Sequence, residues 1–197
     1  MGTRTRILDA ALERFARQGY AGASIRQIAG DVGIQQSAIY NHFPSKQAML
    51  DALVNETGPG PLLELIDAEP GRVTASHPAD VLPGMIDHML RVWEQPRARL
   101  FTSVMLREGG PAAVGAPDVI AEAQQRLGEV FARWIDAGLL RDGFPPEHIV
   151  YELMAPLAIA RMRYLHADAD EETRRAGLAL ARRHVAYFLA REVNRNA

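Results

Sequence analysis

A cluster of hydrogen-bonding side chains lies between residues 35 and 42, and it contains no acidic residue. Its members are Gln35, Gln36, Ser37, Tyr40, Asn41 and His42. Such groups pair with the edges of bases, as Gln36 could with adenine, or donate to phosphate oxygens, as Tyr40 could. Arg26 and Lys46, close by in the sequence, add positive charge. The residue types therefore predict a surface that contacts nucleic acid.

The sequence lacks the residue patterns of the common catalytic and metal sites. Its six histidines are scattered, without a His-Glu-x-x-His pattern, a glycine-rich phosphate loop or a Gly-x-Ser-x-Gly elbow, and there is no cysteine. One stretch, residues 166–172, combines a histidine with four acidic residues, but it is more typical of an acidic loop at the start of a helix. We therefore predict that the chain is not an enzyme and that it binds no cofactor and no metal.

Apolar residues recur at helical spacing almost throughout the chain, which predicts an all-α fold. A first helix ends at Gly19, and a second begins at the capping box Ser24-Ile25-Arg26-Gln27 and runs to about Asp31. Gly33 allows a tight turn before a third helix over residues 34–43. Two short helices around a glycine turn are typical of a helix-turn-helix, whose second helix enters the major groove of DNA.

Longer helices are predicted after this region. Pro44 and Ser45 begin a fourth helix, Gly58-Pro59-Gly60-Pro61 ends it, and residues 69–83 are rich enough in Pro, Gly and Asp to be mostly connection. The remaining helices are predicted near residues 62–67, 80–94, 96–107, 117–138, 145–165 and 169–194. We therefore expect a three-helix DNA-binding domain over residues 1–46 and a larger helical domain over residues 47–197.

The charge is divided unevenly between these two parts. Residues 1–50 carry six basic and three acidic groups, a net charge of +3, which leaves −5 for the rest of a chain whose overall charge is −2. A mildly basic head on an acidic body suits a protein that binds a polyanion. The N-terminus lacks the apolar region of a secretory signal, and no apolar stretch is long enough to span a membrane, so a cytoplasmic location is expected.

The N-terminal sequence strongly resembles the TetR family of transcriptional regulators over residues 3 to about 54. The matching segments are Ile7-Leu8-Asp9-Ala10-Ala11-Leu12, Phe15, Gly19-Tyr20, Ser24-Ile25-Arg26-Gln27-Ile28-Ala29, Val32-Gly33-Ile34, Ala38-Ile39-Tyr40-Asn41-His42-Phe43 and Ser45-Lys46. The resemblance implies a DNA-binding dimer, usually a repressor, whose C-terminal helical domain binds a small molecule. It also implies that Ser24, Tyr40, His42 and Lys46 contact phosphates and that Gln36 and Ser37 read bases.

The chain departs from the family pattern at the start of the third helix. Gln35 stands where a small capping residue is common, and Gln36 and Ser37 replace a frequent Lys-Gly pair. These substitutions leave the operator sequence open. The alternatives also stay open residue by residue: Tyr40 could pack against the fourth helix, Gln36 could be a solvated surface residue, and His42 could cap the end of its helix.

Two features of the C-terminal half predict partners for the helical domain. The helices over residues 145–165 and 169–194 have apolar stripes too wide for one contact and many small residues, so we expect a homodimer through them, with packing inside the chain as the alternative. Bulky, soft side chains further suggest an apolar effector pocket with a polar contact. The pocket candidates are Met85, His88, Met89, Trp93, Phe101, Met105 and Arg161.

Together these patterns predict a transcriptional regulator that binds a palindromic operator in double-stranded DNA. A small apolar or amphipathic effector would release it. The alternative is a protein of the same fold that acts by helical interactions or by metal sensing, without small-molecule induction.

Overall fold

The computed structural model describes residues 2–68, 70–109 and 117–194. The described residues form eleven helices and no β-sheet, so the all-α prediction is confirmed. The helices are α1 (Thr3–Gly22), α2 (Ile25–Val32), α3 (Gln36–Tyr40), α4 (Lys46–Thr57), α5 (Gly60–Ala68), α6 (Pro70–Ala75), α7 (Pro78–Glu94), α8 (Pro96–Arg107), α9 (Pro117–Asp136), α10 (Pro146–Tyr164) and α11 (Glu171–Glu192).

Local signals set the helix ends in the N-terminal region. The Ser24 hydroxyl accepts a hydrogen bond from the Gln27 amide while the Gln27 side chain reaches back, so the predicted capping box is present. Gly33 adopts the left-handed conformation (φ 73°, ψ 34°), and the amide of Ile34 donates to Ala29 O at 3.0 Å. Gly19 interrupts α1 with φ 75°. The conformation of Gly33 and the hydrogen bond from Ile34 to Ala29 produce the sharp turn between α2 and α3.

Two predictions about helix extent were wrong. The third helix covers only Gln36–Tyr40 rather than residues 34–43. Phe43 precedes Pro44, whose ring disfavours helical geometry in the preceding residue, so the chain forms a turn there instead. The segment 69–83 is also more helical than expected, because Pro70 is the first residue of α6 and Pro78 the first of α7. Glu69, part of that predicted connection, lies outside the described residues.

The buried side chains form two hydrophobic clusters. The N-terminal cluster joins α1, α2, α3 and α4, and it also takes in Phe101, Val104 and Met105 of α8. It thus continues past residue 46, where we expected the first domain to end. The C-terminal cluster joins α5, α6, α7, α9, α10 and α11. Helix α8 therefore belongs to the core of the N-terminal region although it lies far along the chain.

Candidate nucleic-acid interface

The surface of α3 presents the hydrogen-bonding cluster that the sequence predicts. Ile39 is fully buried against α1, α2 and α4, which fixes the rotation of this short helix. The opposite face is therefore solvent-exposed, and Tyr40 retains 48% of its surface there. The Gln36 amide nitrogen lies 3.5 Å from the Tyr40 hydroxyl, one turn further along, and donates to it.

The structure exposes all but one of the nine predicted DNA-contacting residues. The exposed residues are Ser24, Arg26, Gln35, Gln36, Ser37, Tyr40, Asn41 and His42. Ser24 and Arg26 lie at the start of α2, whereas the others lie on α3 or in the turns beside it. Exposure of these side chains on one small domain is what a surface that contacts DNA bases and phosphates requires.

Lys46 is the exception, because it is half-buried and bonded within the protein. Its ammonium group donates to the carbonyl oxygens of Tyr20 at 2.6 Å and Ala23 at 2.9 Å, and it lies 4.3 Å from the centre of the Tyr20 ring. Ser45 caps the same helix by accepting from the Ala48 amide. Lys46 thereby holds the N-terminus of α4 beside the N-terminus of α2. Two helix N-termini so placed offer partial positive charge to a phosphate.

Other arginines of the head, the N-terminal domain formed by α1 to α4, also form hydrogen bonds within that domain. Arg6 donates to Val32 O at 2.6 Å, which satisfies a carbonyl at the end of α2. Arg14 bonds both carboxylate oxygens of Asp31, and the hydrogen bond from Arg14 lowers the pKa of Asp31 below its ordinary value. These pairs link α1 to α2, so part of the positive charge of residues 1–50 stabilises the domain.

Arg97, the second residue of α8, connects α8 to the head. Its guanidinium donates to Asp9 Oδ1 at 2.8 Å and to Glu56 Oε2 at 2.6 Å, and Arg4 donates to the other oxygen of Glu56 at 2.7 Å. Burial alone would raise the pKa of Glu56, but the hydrogen bonds from Arg97 and Arg4 outweigh it, so this pKa lies below its ordinary value. The network ties α1, α4 and α8 together.

The structure separates the predicted effector-pocket residues into two groups. Met85, Met89 and Trp93 lie on one face of α7 in the C-terminal cluster. Phe101 and Met105 lie on α8 in the N-terminal cluster, together with residues of α1 to α4. His88 is half-buried on α7. Cavities of about 460, 290 and 240 Å³ lie elsewhere, on the surfaces of α7, α9, α10 and α11. None of the pocket candidates lines one of these three cavities.

Arg161 lies where these two groups meet. Only 6% of its surface is exposed, its Nε donates to Thr102 Oγ1 of α8 at 3.0 Å, and its guanidinium carbon is 5.0 Å from the centre of the Trp93 ring. Burial lowers the pKa of Arg161 to about 9, so the group stays charged at neutral pH. Neither Arg161 Nη2 nor Trp93 Nε1 has a hydrogen-bond partner among the described residues.

An exposed apolar face runs along α10 and α11. Ile159 is 66% exposed and Leu180 is 41% exposed, and Tyr151 and Tyr187 are exposed on the same two helices. Some of the small residues predicted to serve a dimer instead serve packing inside the chain. At Gly177 an added Cβ would lie 2.3 Å from Tyr164 Cβ, so glycine is needed where α11 crosses α10. Ala158 and Ala176 remain exposed.

Two other kinds of site are absent over the part of the chain that the structure describes. No group of three or more His, Asp and Glu side chains has a geometry that could hold a metal ion. In the acidic segment at residues 166–172, Asp170 instead caps α11 by accepting from the Thr173 amide at 2.8 Å. No described helix is both long enough and apolar enough to cross a membrane.

A helix-turn-helix with an exposed second helix, joined to a larger helical domain, is typical of DNA-binding transcriptional regulators. Residues 7–53 match the model of the bacterial regulatory proteins of the tetR family. The HTH-type transcriptional regulator TtgW of Pseudomonas putida is 34% identical over 108 residues, which cover 54% of this chain and 75% of TtgW. The chain therefore belongs to the tetR family.

Two further relatives extend the comparison. The regulator SrpR of Pseudomonas putida is also 34% identical over 108 residues, but these cover only 47% of SrpR, about half its length. SmeT, the repressor of the Stenotrophomonas maltophilia multidrug efflux pump SmeDEF, superposes with a TM-score of 0.71 over 100% of this chain and 93% of its own, at 24% identity. SmeT has also been solved in a complex with triclosan. The likeness to SmeT shows that the fold is shared over the whole chain.

Proposed function

We propose that this protein is a transcriptional repressor that binds a palindromic operator as a homodimer and leaves it when a small molecule binds the helical domain. The observation that carries the proposal is the exposed hydrogen-bonding surface of α3 in a helix-turn-helix that matches the tetR family. Gln36 and Ser37, at the start of α3, are the proposed base-reading residues because the N-terminal residues of a recognition helix reach furthest into the groove.

Phosphate contacts would come from the residues around this helix. Tyr40 and His42 are exposed at the end of α3 and just after it, and Ser24 and Arg26 are exposed at the start of α2. Lys46 has a supporting role in this proposal, because its bonds to Tyr20 O and Ala23 O hold two helix N-termini at one place. Contacts on both sides of the reading helix would fix its register in the groove.

The exposed apolar face of α10 and α11 supports a homodimer. Large apolar side chains such as Ile159 and Leu180 would lose their contact with water if a second copy covered them. A twofold axis through this face would place two reading helices on one side of the assembly. A twofold dimer matches a palindromic operator with half-sites about one DNA turn apart.

Helix α8 provides a physical connection between an effector and the DNA-binding head. Its middle contacts Arg161 through Thr102, and its first turn bonds the head through Arg97. Phe101 and Met105 pack in the core of the head. An effector that prefers a displaced α8 would therefore shift the population towards dimers whose reading helices no longer fit the groove spacing.

Fluorescence anisotropy with labelled duplexes from the DNA that flanks the gene would test this function across a range of salt. The wild type should bind one duplex better than competitor DNA and lose affinity as salt rises. Gln36→Ala should reduce discrimination between sequences, and Tyr40→Phe should weaken all duplexes similarly, by about three- to tenfold. Gln124→Ala, an exposed glutamine on α9, is the matched control and should change neither property.

The proposal fails if genome-wide selection of bound fragments recovers no preferred sequence, or if Gln36→Ala leaves discrimination unchanged. Effector release has its own test, because binding equilibria are reciprocal. A compound that weakens operator binding by some factor must itself bind the operator complex more weakly by the same factor. Effector release fails if no compound that binds the helical domain weakens operator binding.

A further inference from the structure

We infer that the effector of this protein carries a carboxylate on an apolar body and that the carboxylate binds to the Arg161 guanidinium beside Trp93. The inference rests on the proposed function, since it names the chemistry of the proposed effector site. It starts from a buried charge. The Arg161 guanidinium is nine-tenths buried, and no carboxylate of the described residues lies within ion-pair distance of it.

A buried cation of this kind is costly unless an anion and hydrogen-bond acceptors compensate it. Thr102 supplies one acceptor, at 3.0 Å from Nε, and the face of the Trp93 ring lies 5.0 Å from the guanidinium carbon. Both interactions leave Nη2 unsatisfied, and the neighbouring indole N–H of Trp93 is unsatisfied as well. Two unpartnered donors in one buried region therefore need an acceptor that the described residues do not provide.

A carboxylate meets this need better than a neutral acceptor does. It brings the missing negative charge, and its two oxygens are strong acceptors for N–H donors such as those of the guanidinium and the indole. The side chains around Arg161 determine the chemistry of the rest of the effector. Trp93 is preceded on the same face of α7 by Met89 and Met85, which are buried in the C-terminal cluster. Methionine side chains are flexible and repack easily, so an apolar body could displace them along α7.

The position of Arg161 also explains how such a ligand would be sensed. A carboxylate bound at Nη2 would reorient the guanidinium and so compete with its hydrogen bond to Thr102. Thr102 is fully buried in the middle of α8. The same helix bonds Asp9 and Glu56 of the head through Arg97. Charge compensation at Arg161 and the geometry of the head are thus linked through one helix.

The test uses the full-length protein with ¹⁵N-labelled indoles, because the chain has only two tryptophans. The probes are hexanoate, decanoate and 2-naphthoate, each paired with its uncharged methyl ester. At least one carboxylate should shift the Trp93 indole signal at about 1 mM or below and bind about tenfold tighter than its ester. The Trp134 indole, which donates to Ser76 O, should not move and serves as the internal control.

Arg161→Met provides the decisive variant. It removes an uncompensated buried charge, so the variant should fold with an equal or higher Tm, whereas a purely structural arginine would lower it. The preference for carboxylates over esters should disappear in Arg161→Met and persist in Arg163→Met, an exposed arginine on the same helix. The inference is overturned if no carboxylate moves the Trp93 signal, if the esters bind equally well, or if Arg161→Met keeps the preference.

Operator binding separates this inference from the proposed function. If carboxylates bind at Arg161 but operator affinity stays the same, Arg161 binds carboxylates but they are not the effector, and the inference fails while the repressor function is untouched. If uncharged compounds release the operator and carboxylates do not, the repressor function stands and the inference fails.

Discussion

The carboxylate of Glu108 accepts a hydrogen bond at 3.0 Å from the backbone amide of Tyr20. Glu108 follows the last residue of α8, and Tyr20 lies just past the break in α1. Gly19 forms that break with φ 75°, and an added Cβ there would lie 2.9 Å from Glu108 Oε1. The end of α8 therefore lies directly on the turn that precedes α2.

Removing this contact should loosen the turn before the helix-turn-helix. In Glu108→Ala the Tyr20 amide loses its acceptor, so its protection against hydrogen exchange should fall while protection in α11 stays the same. Hydrogen exchange followed by NMR measures both regions in one sample. Glu122→Ala, an exposed glutamate on α9, is the control. Unchanged protection of Tyr20 in Glu108→Ala would contradict the contact.

Glu56 should make the stability of the protein depend on pH. Its pKa is lowered in the folded state, so its charged form stabilises the fold above the ordinary carboxyl pKa, and this contribution is lost as the pH falls through the folded value. Glu56→Gln should therefore lower the free energy of unfolding at pH 7 by about 0.5 to 1 kcal/mol, a modest amount because the site is partly solvated.

Urea unfolding of both proteins at neutral pH and at about pH 3.5 measures the difference, which should shrink at the lower pH. The exposed Glu13 supplies a control, Glu13→Gln, whose effect should be small at both values. A difference that is the same at both pH values would mean that Glu56 does not act through its charge.

Lys46 should matter for stability as well as for DNA binding. It is the only lysine in the sequence, and its ammonium bonds two backbone carbonyls. Lys46→Met should lower the free energy of unfolding by about 1 to 3 kcal/mol, because both carbonyls lose a charged donor. If Lys46 also contacts a phosphate, the slope of log affinity against log salt should fall by about 1.

Arg26→Met is the comparison for this experiment, since Arg26 is exposed and adjacent to the same surface. It should leave the unfolding free energy within about 0.5 kcal/mol of the wild type. If Lys46→Met is as stable as the wild type, the two hydrogen bonds do not hold the helix ends together.

The apolar face of α10 and α11 should control the oligomeric state. Ile159→Glu and Leu180→Glu place charges on this face, and each should weaken a dimer by about 30-fold or more. Sedimentation velocity over a range of concentrations measures the change. Leu106→Glu, a similarly exposed leucine on α8, should leave self-association as in the wild type. Wild-type protein that sediments as a monomer at every concentration would contradict the proposed dimer.

The sequence was most informative where a contact spans only a few residues. The Ser24 capping box, the left-handed Gly33 and the Ser45 cap are each formed within four or five residues. The sequence predicted the capping box, a tight turn at Gly33 and the start of a helix at Ser45. Proline was harder to interpret, because the same residue type excluded Phe43 from a helix but began α6 and α7. Composition alone does not distinguish these roles.

Burial could be predicted from helical periodicity, but the identity of the partner could not. Met89 and Phe101 were both predicted to line one effector pocket, and both are buried, yet they lie in different clusters. Periodicity reports which face of a helix is apolar, whereas the neighbour of that face depends on how the helices cross.

The sequence by itself determined the all-α fold, the helix-turn-helix and its exposed polar surface, because these follow from local hydrogen bonds and from the spacing of apolar residues. Only the tertiary structure decided that Lys46 bonds inside the head, that Arg97 and Glu108 connect α8 to α1, and that Arg161 is buried without a counter-ion among the described residues. The reason is physical. The sequence gives the type of each charged side chain, but the partner and the solvent access of that side chain depend on residues that folding brings from far along the chain.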